Sequence, residues 1–527
     1  MDGIVLADMR WRTMATQSNG DIRPEKITTW KQDRLFLERG EDYLESDSPD
    51  TGRSIILRGR DNWLTRFISS SRPSIDEQAI REEVQALFAR WLRMQNFCVL
   101  MGAGASFYVT QMLNAELLVR AAKFLEGRRS KDTLENLKNY AQSSGDSLER
   151  IEEFLSKRIE EFLSQLAGLV SLFGAKGLPL DKIPFPDMKL SSNDDRTNKA
   201  IEDIDLLKEL LSDLERAIAV ACNVRLPDSA LSSGAETTVT PHENFLSKLM
   251  ARDPQHGRAK IFTTNYDTLL EQAMDRLGIL YCDGFTGTVE RKFNPASYDL
   301  DYYYPGEIGE GRVRRYHKVI QLYKLHGSIN WRKETEPKAS NPYGVRYDSK
   351  PLPYRPGKQA SRQTTAPFQL DEVFAPGEGL AILPTMAKYG QTLAMPFAHL
   401  FRAFSHALQQ PQTVLFVIGY GGGDEHINQI IHDALVNPDF CLVIVGPEPS
   451  GWAKRLCRAD YCGRVYFVGG DWGRFEVFAE HLLPDLEALK TDIDVAKTLR
   501  ELRSTGRSGP ACEAGYDESD KGRSAHA

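Results

Sequence analysis

The sequence predicts an α/β protein built on a parallel sheet with helices on both faces, interrupted by a large helical insertion. Three observations predict it: short apolar runs recur along the chain, several alternate with segments of helical periodicity, and four of them end in glycine-rich or polar turns. Residues 1–75 are an N-terminal extension rich in charge and turn formers, such as Asp47-Ser-Pro-Asp50, with short apolar runs like Ile55-Ile-Leu57 of strand character. From Ile75 the spacing of Ile80, Val84, Leu87, Phe88 and Leu92 by three or four marks one buried helix face. That helix leads into Asn96–Met101, an apolar run closed by Gly102, which reads as a buried strand.

Residues 111–250 form the helical insertion, typified by Leu148, Ile151, Phe154, Leu155, Ile159, Phe162, Leu163 and Leu166, with polar breaks at 176–198 and 226–241. Strands then return at 259–263, 319–325, 414–418, 441–445 and 464–468, alternating with helices at Thr268–Leu277, Met395–Leu408 and Glu425–Leu435. The sheet-forming domain is thus split into 76–110 and 251–500. Between Arg332 and Gly379 seven prolines and several basic residues suggest a coil-like surface loop or lid. Residues 501–527 read as a disordered tail.

The chain has 527 residues, 41% of them hydrophobic, and 66 basic against 73 acidic residues give a formal charge of -7. This excludes disorder throughout, and it excludes a nucleic-acid binder that relies on bulk positive charge. The basic stretch 332–363 leaves local nucleic-acid contact open. Seven scattered cysteines do not form a secreted disulfide framework, and no run approaches the ~18 apolar residues of a membrane span. A reducing, cytoplasmic setting without membrane association is expected.

Four strand ends carry candidate chemistry. Gly102-Ala103-Gly104-Ala-Ser106 follows the first strand, where glycines let backbone amides approach a pyrophosphate and Ser106 adds a hydroxyl. Thr263-Thr264-Asn265-Tyr-Asp267 closes the second; Asn265 offers a donor and an acceptor to a ribose or a water, and Asp267 is either a helix cap or a ligand contact. Lys324-Leu-His326-Gly327-Ser328 closes the third, with His326 a candidate general base and Gly327 leaving room beside it. Gly419-Tyr420-Gly421-Gly-Gly-Asp424-Glu-His426 closes the fourth, and Asp424 is placed to cap the next helix. Four glycines within 419–423 raise the entropy cost of ordering that loop.

This set of motifs, in this order, resembles the sirtuin family, in particular the sirtuin-like proteins of bacterial antiphage defence. The resemblance spans motifs within roughly residues 95–475. It implies a Rossmann-like sheet that binds NAD. Gly102, Ala103, Gly104 and Ser106 would line the pyrophosphate; Thr264, Asn265 and Asp267 would hold the nicotinamide ribose and the attacking water. His326, beside Gly327, would be the base toward a ribose hydroxyl. Gly419, Tyr420, Gly421 and Asp424, with Gly470 and Asp471 after the last strand, would serve the adenosine half. Asn265, Asp267 and His326 are the implied catalytic residues.

Three departures separate the chain from protein-deacylating sirtuins. It has no Cys-x-x-Cys pair for a structural zinc, its glycine turn continues Phe107-Tyr-Val-Thr-Gln-Met112 in place of a Pro-Asp-Phe-Arg loop, and Gly421 stands where family members often have serine. The implied function is therefore an NAD+ glycohydrolase without zinc, releasing nicotinamide and depleting NAD as an abortive-infection effector. Control by homo-oligomerisation or by a HerA-type ATPase partner is expected. The alternatives are an NAD-dependent deacylase and a non-catalytic nucleotide-sensing module.

Overall fold

The computed structural model describes residues 54–57, 61–62, 77–110, 121, 123–135, 166, 196–227, 239–304, 314–334, 340–349, 379–382, 395–459 and 463–486. The expected 148–166 helical run, apart from Leu166, and the 501–527 tail lie outside these residues, as does most of the 1–75 extension.

From the extension come two short strands, β1 (Ser54–Leu57) and β2 (Asp61–Asn62). Helix α1 (Glu77–Leu92) leads into β3 (Asn96–Met101) and α2 (Ala103–Thr110). The insertion contributes α3 (Arg196–Cys222) and α4 (Pro241–Met250), after which β4 (Lys260–Thr263), α5 (Leu269–Leu277) and β5 (Leu280–Cys282) follow. Next come short strands β6 (Phe285–Thr286), β7 (Arg291–Phe293), β8 (Tyr303–Tyr304) and β9 (Arg314–Arg315), then β10 (Val319–Lys324), β11 (Gly327–Lys333), β12 (Val345–Tyr347) and β13 (Gly379–Ile382). The chain then runs α6 (Phe397–Leu408), β14 (Thr413–Ile418), α7 (Glu425–Ala434), β15 (Phe440–Val445), α8 (Gly451–Arg458) and β16 (Val465–Gly469).

The large sheet has the order β2-β1-β16-β15-β14-β3-β4-β10-β5. From β16 to β5 the seven strands are parallel, so the predicted α/β fold holds, with all their carboxyl ends on one edge. The unbroken apolar runs have a simple cause: a strand covered on both sides needs apolar residues on both sides. Phe97, Val99 and Met101 of β3 face one core, with Phe88 of α1, Phe245 of α4 and Met274 of α5, whereas Cys98 and Leu100 face the other, with Phe404 of α6, Ile431 of α7 and Leu456 of α8. Helices therefore cover both faces. β1 pairs antiparallel with β16, Ser54 opposite Gly469 and Leu57 opposite Tyr466, so part of the extension belongs to the sheet.

A second, antiparallel sheet has the order β13-β11-β12-β7-β6. It corrects the coil-like reading of 332–379 for the residues described there: Lys333 pairs with Val345 and Arg332 with Arg346. Arg332, only 1% exposed, donates to the Ile329 carbonyl at 2.7 Å and lies 3.3 Å from Asp348, so its cation serves a buried contact.

The insertion is tied to the sheet domain. Leu207, Leu210, Leu214, Ile218 and Ala221, spaced by three or four, form the buried stripe of α3, which packs toward β11 and β13. After α3, the Leu226 N–H donates to Gln272 on α5 at 2.9 Å, and Gln272 donates back to the Val224 carbonyl at 2.8 Å.

Candidate functional site at the carboxyl edge of the sheet

The chain passes from β3 to β4 on one side and places β14 on the other, so the strand order reverses at β3. Ligands of open parallel sheets gather at the carboxyl ends beside such a reversal. Here the backbones of the two flanking turns interlock. The Gly102 N–H donates to Ile418 O and the Gly104 N–H to Gly419 O, each at 2.9 Å. A Cβ on Gly104 would lie 2.7 Å from Gly419 Cα, and one on Gly419, where φ is +63°, would lie 2.4 Å from Ala105 N. These glycines are required by the close approach of two main chains. Their N–H groups are taken, so Gly102 and Gly104 offer a ligand bare backbone rather than the amide cradle expected from the sequence. Ala103 opens α2 behind them.

The β4 turn sits directly on this floor. Thr263 donates its hydroxyl to Met101 O at 2.9 Å and the Thr264 N–H reaches the same carbonyl at 3.1 Å. Asn265 donates from Nδ2 to Gly102 O at 3.0 Å and to Ser106 Oγ at 2.9 Å, which leaves its Oδ1 as an acceptor. Asp267 accepts the Leu269 N–H at 3.1 Å from one residue before the N-cap of α5, which is Thr268 rather than Asp267. It also lines a narrow cleft with Met101, Ser106, His242, Thr263, Asn265 and Leu270. The cleft is a tight, partly open crease between these side chains.

Leu325 and His326 are the whole connection between β10 and β11, and Gly327 adopts φ +84° to turn the chain into the second sheet. The Leu325 N–H donates to Thr263 O at 2.9 Å, extending the ladder and setting the two strand ends side by side. His326 is 2% exposed, and its Nε2 lies 3.0 Å from Asp424 Oδ2. Asp424 Oδ1 accepts the N–H groups of His426 and Ile427 at the start of α7. A carboxylate holding backbone donors accepts from the ring too, so Nε2 carries the proton and Nδ1 the basic lone pair. Asp424 thus acts on His326 and α7, and neither His326 nor Asp424 is among the residues lining the cleft.

Tyr420 braces the glycine loop. Its hydroxyl accepts the Asp424 N–H at 3.0 Å and lies 3.0 Å from Asp424 O and 3.2 Å from Asn428 Oδ1, while its ring meets Trp452 edge-on at 5.7 Å. Gly421 faces open space, since a Cβ there would touch nothing within 4 Å. Gly470 and Asp471 belong to the β16 end, two strands beyond β14, where the Gly470 N–H donates to Pro447 O at 2.9 Å. They are not brought to the cleft.

Three further residues escaped the sequence reading. Lys324 and Glu271 form a buried ion pair at 2.9 Å beneath Asp267, and Lys324 also donates to the Asp267 carbonyl. Burial pushes the Glu271 carboxyl up, an effect that Lys324 opposes. His242 opens α4 behind a capping box in which the Glu243 N–H donates to Thr240 Oγ1 and the Thr240 N–H to Glu243 Oε2. The sequence Thr240-Pro-His-Glu243 signals that helix start, but not that its histidine reaches the cleft. Its Nδ1 lies 2.6 Å from the Tyr108 hydroxyl, and burial lowers its pKa to about 3.

Residues 259–440, from β4 to the start of β15, match the family model of the SIR2-like domain. That segment is similar to the SIR2-like domain. The SIR2-like match includes Asn265, Asp267, His326 and Asp424, and leaves β3 and the Gly102–Ser106 turn outside its bounds. Among solved structures, one similar to this chain is a crystal structure of a SIR2 homolog–NAD complex, 10% identical, with 79% of this chain and 98% of that chain covered and a TM-score of 0.31. No curated protein matches. Among the described residues no group of three or more His, Cys, Asp or Glu side chains is gathered for a metal ion, and no helix is long and apolar enough to cross a membrane.

Proposed function

We propose that this sirtuin-like protein is an NAD+ glycohydrolase, whose reaction joins water to the ribosyl C1′ as the bond to nicotinamide breaks, giving nicotinamide, ADP-ribose and a proton. The observation that carries the reading is the buried His326–Asp424 pair at the strand end adjoining Asn265, within a SIR2-like domain. Asp424 orients the His326 ring, which would take the proton of a ribose hydroxyl or of the attacking water. Asn265, locked by Gly102 and Ser106, presents Oδ1 to the ribose or the water, where the developing oxocarbenium character attracts a fixed acceptor. The diphosphate would lie at the strand-order reversal beside β3, where ligands of open parallel sheets gather.

In the cell this activity would deplete NAD, the role expected of an antiphage effector held in check by self-assembly or by a HerA-type ATPase. The test is nicotinamide release from NAD+ by purified wild type and by His326→Ala, with and without that partner. Release that is lost in the variant supports the reading. Release only in the presence of an acylated peptide would instead make the protein a deacylase, and no release under any condition would leave the non-catalytic alternative.

A further inference from the structure

A buried titratable side chain from outside the sheet domain lines the cleft without a place in this chemistry. His242 is contributed by the helical insertion, stands with Ser106, Asn265 and Asp267 around the cleft, and is 1% exposed. Its ring is clamped between Tyr108 and Phe475, with centroids at 5.5 and 5.0 Å. The Tyr108 hydroxyl occupies Nδ1, so the nitrogen that remains for a ligand is Nε2. A phenol is a stronger donor than a neutral imidazole N–H, so we assign the Tyr108 hydroxyl as the donor to Nδ1, which puts the ring proton on Nε2.

We propose that His242 is a substrate-binding residue of the NAD-cleaving site, donating from Nε2–H to an uncharged acceptor oxygen of the substrate, a hydroxyl or an amide carbonyl, with Tyr108 as its positioning residue. The inference rests on the proposed function. An uncharged acceptor follows from the neighbourhood: a ring that burial keeps neutral adds no positive charge, and Asp267 beside it disfavours an anion. The cleft then has a donor on His242 and acceptors on Asn265 and Asp267, so the insertion completes the site.

The test measures NAD+ affinity calorimetrically in full-length His326→Ala, alone and combined with His242→Met or His242→Gln, alongside turnover by wild type, His242→Gln and Tyr108→Phe. Gln places an N–H donor near the position of Nε2 and Met does not. The expected result is about a tenfold loss of affinity with Met, the worth of one hydrogen bond, and less than about threefold with Gln. Turnover is expected to show a raised KM with little change in kcat for Tyr108→Phe. Melting curves separate misfolding from lost binding, and the Gln variant keeps the question open to measurement if Met unfolds the chain.

Equal affinity with His242 and with Met overturns the inference, as does a loss with Gln as large as with Met at unchanged melting temperature. Wild type that binds NAD+ in this His242-dependent way but releases no nicotinamide overturns the glycohydrolase reading and supports the inference. A chain that does not bind NAD+ overturns both.

Discussion

His326 Nε2 lies 3.0 Å from Asp424 Oδ2 although the two residues are 98 positions apart, one at the end of β10 and the other at the end of β14. Three strand intervals separate those ends, so the pair arches over the carboxyl edge of β3 and β4. Removing the imidazole should lower nicotinamide release by about a hundredfold to ten-thousandfold, the range of a general base. Asp424→Asn retains a good helix cap yet weakens the hold on the ring, so its initial rate should fall between wild type and His326→Ala with little change in melting temperature. Wild-type rates in both variants would remove His326 from the chemistry.

The interlocked glycines make a stability prediction. Gly419→Ala puts a side chain at φ +63° and 2.4 Å from a backbone nitrogen, which should cost at least about 2 kcal/mol in denaturant unfolding. Gly421→Ser enters open space and should stay within about 0.5 kcal/mol of wild type. The two glycines are two residues apart, so the contrast isolates contact from loop composition.

The buried Lys324–Glu271 pair predicts a third outcome. Lys324→Met leaves an uncompensated carboxyl under the site and should destabilise the fold by about 3–5 kcal/mol, whereas adding Glu271→Met should restore most of that loss. Equilibrium unfolding of the two variants decides it. Additive losses would mean that the two groups are not coupled.

His242 predicts a pH dependence. In the unfolded chain it titrates near 6.5, and in the folded protein burial holds it neutral down to about 3. The unfolded state therefore binds the extra proton within this window. Relative to His242→Phe, wild type should hold its stability above pH 6.5 and lose up to about 1.4 kcal/mol per unit as the pH falls toward 3. Glu271, whose carboxyl burial pushes up, contributes the opposite slope and cancels in the difference. A pH-independent difference between the two proteins would contradict a neutral, buried imidazole.

The parallel strands were legible because a strand covered on both faces is apolar at every position, as in Phe97–Met101, and the turns were legible because two touching backbones exclude side chains, as at Gly104 and Gly419. The second sheet was not. β12 is three residues long among prolines, and Arg332 carries a charge where a core residue stands, so neither period nor polarity marks it. His242 escaped for another reason: it reaches the cleft through a helix of the insertion, and which face of that helix meets α2 is decided by packing with Phe475 and Tyr108. Asp424 was correctly read as a cap, but its second oxygen reaches a partner on a distant strand, a relationship that local sequence does not contain.

The two-residue link of Leu325 and His326 makes the imidazole ride on the axle between the two sheets. A few degrees of rotation of the small sheet against the large one would swing the ring away from Asp424, and a misplacement of about 1 Å can lower a rate a hundredfold. α3 leans on β11 and β13, so a protein that pulls or presses on that helix would gain a lever arm to His326 without entering the cleft.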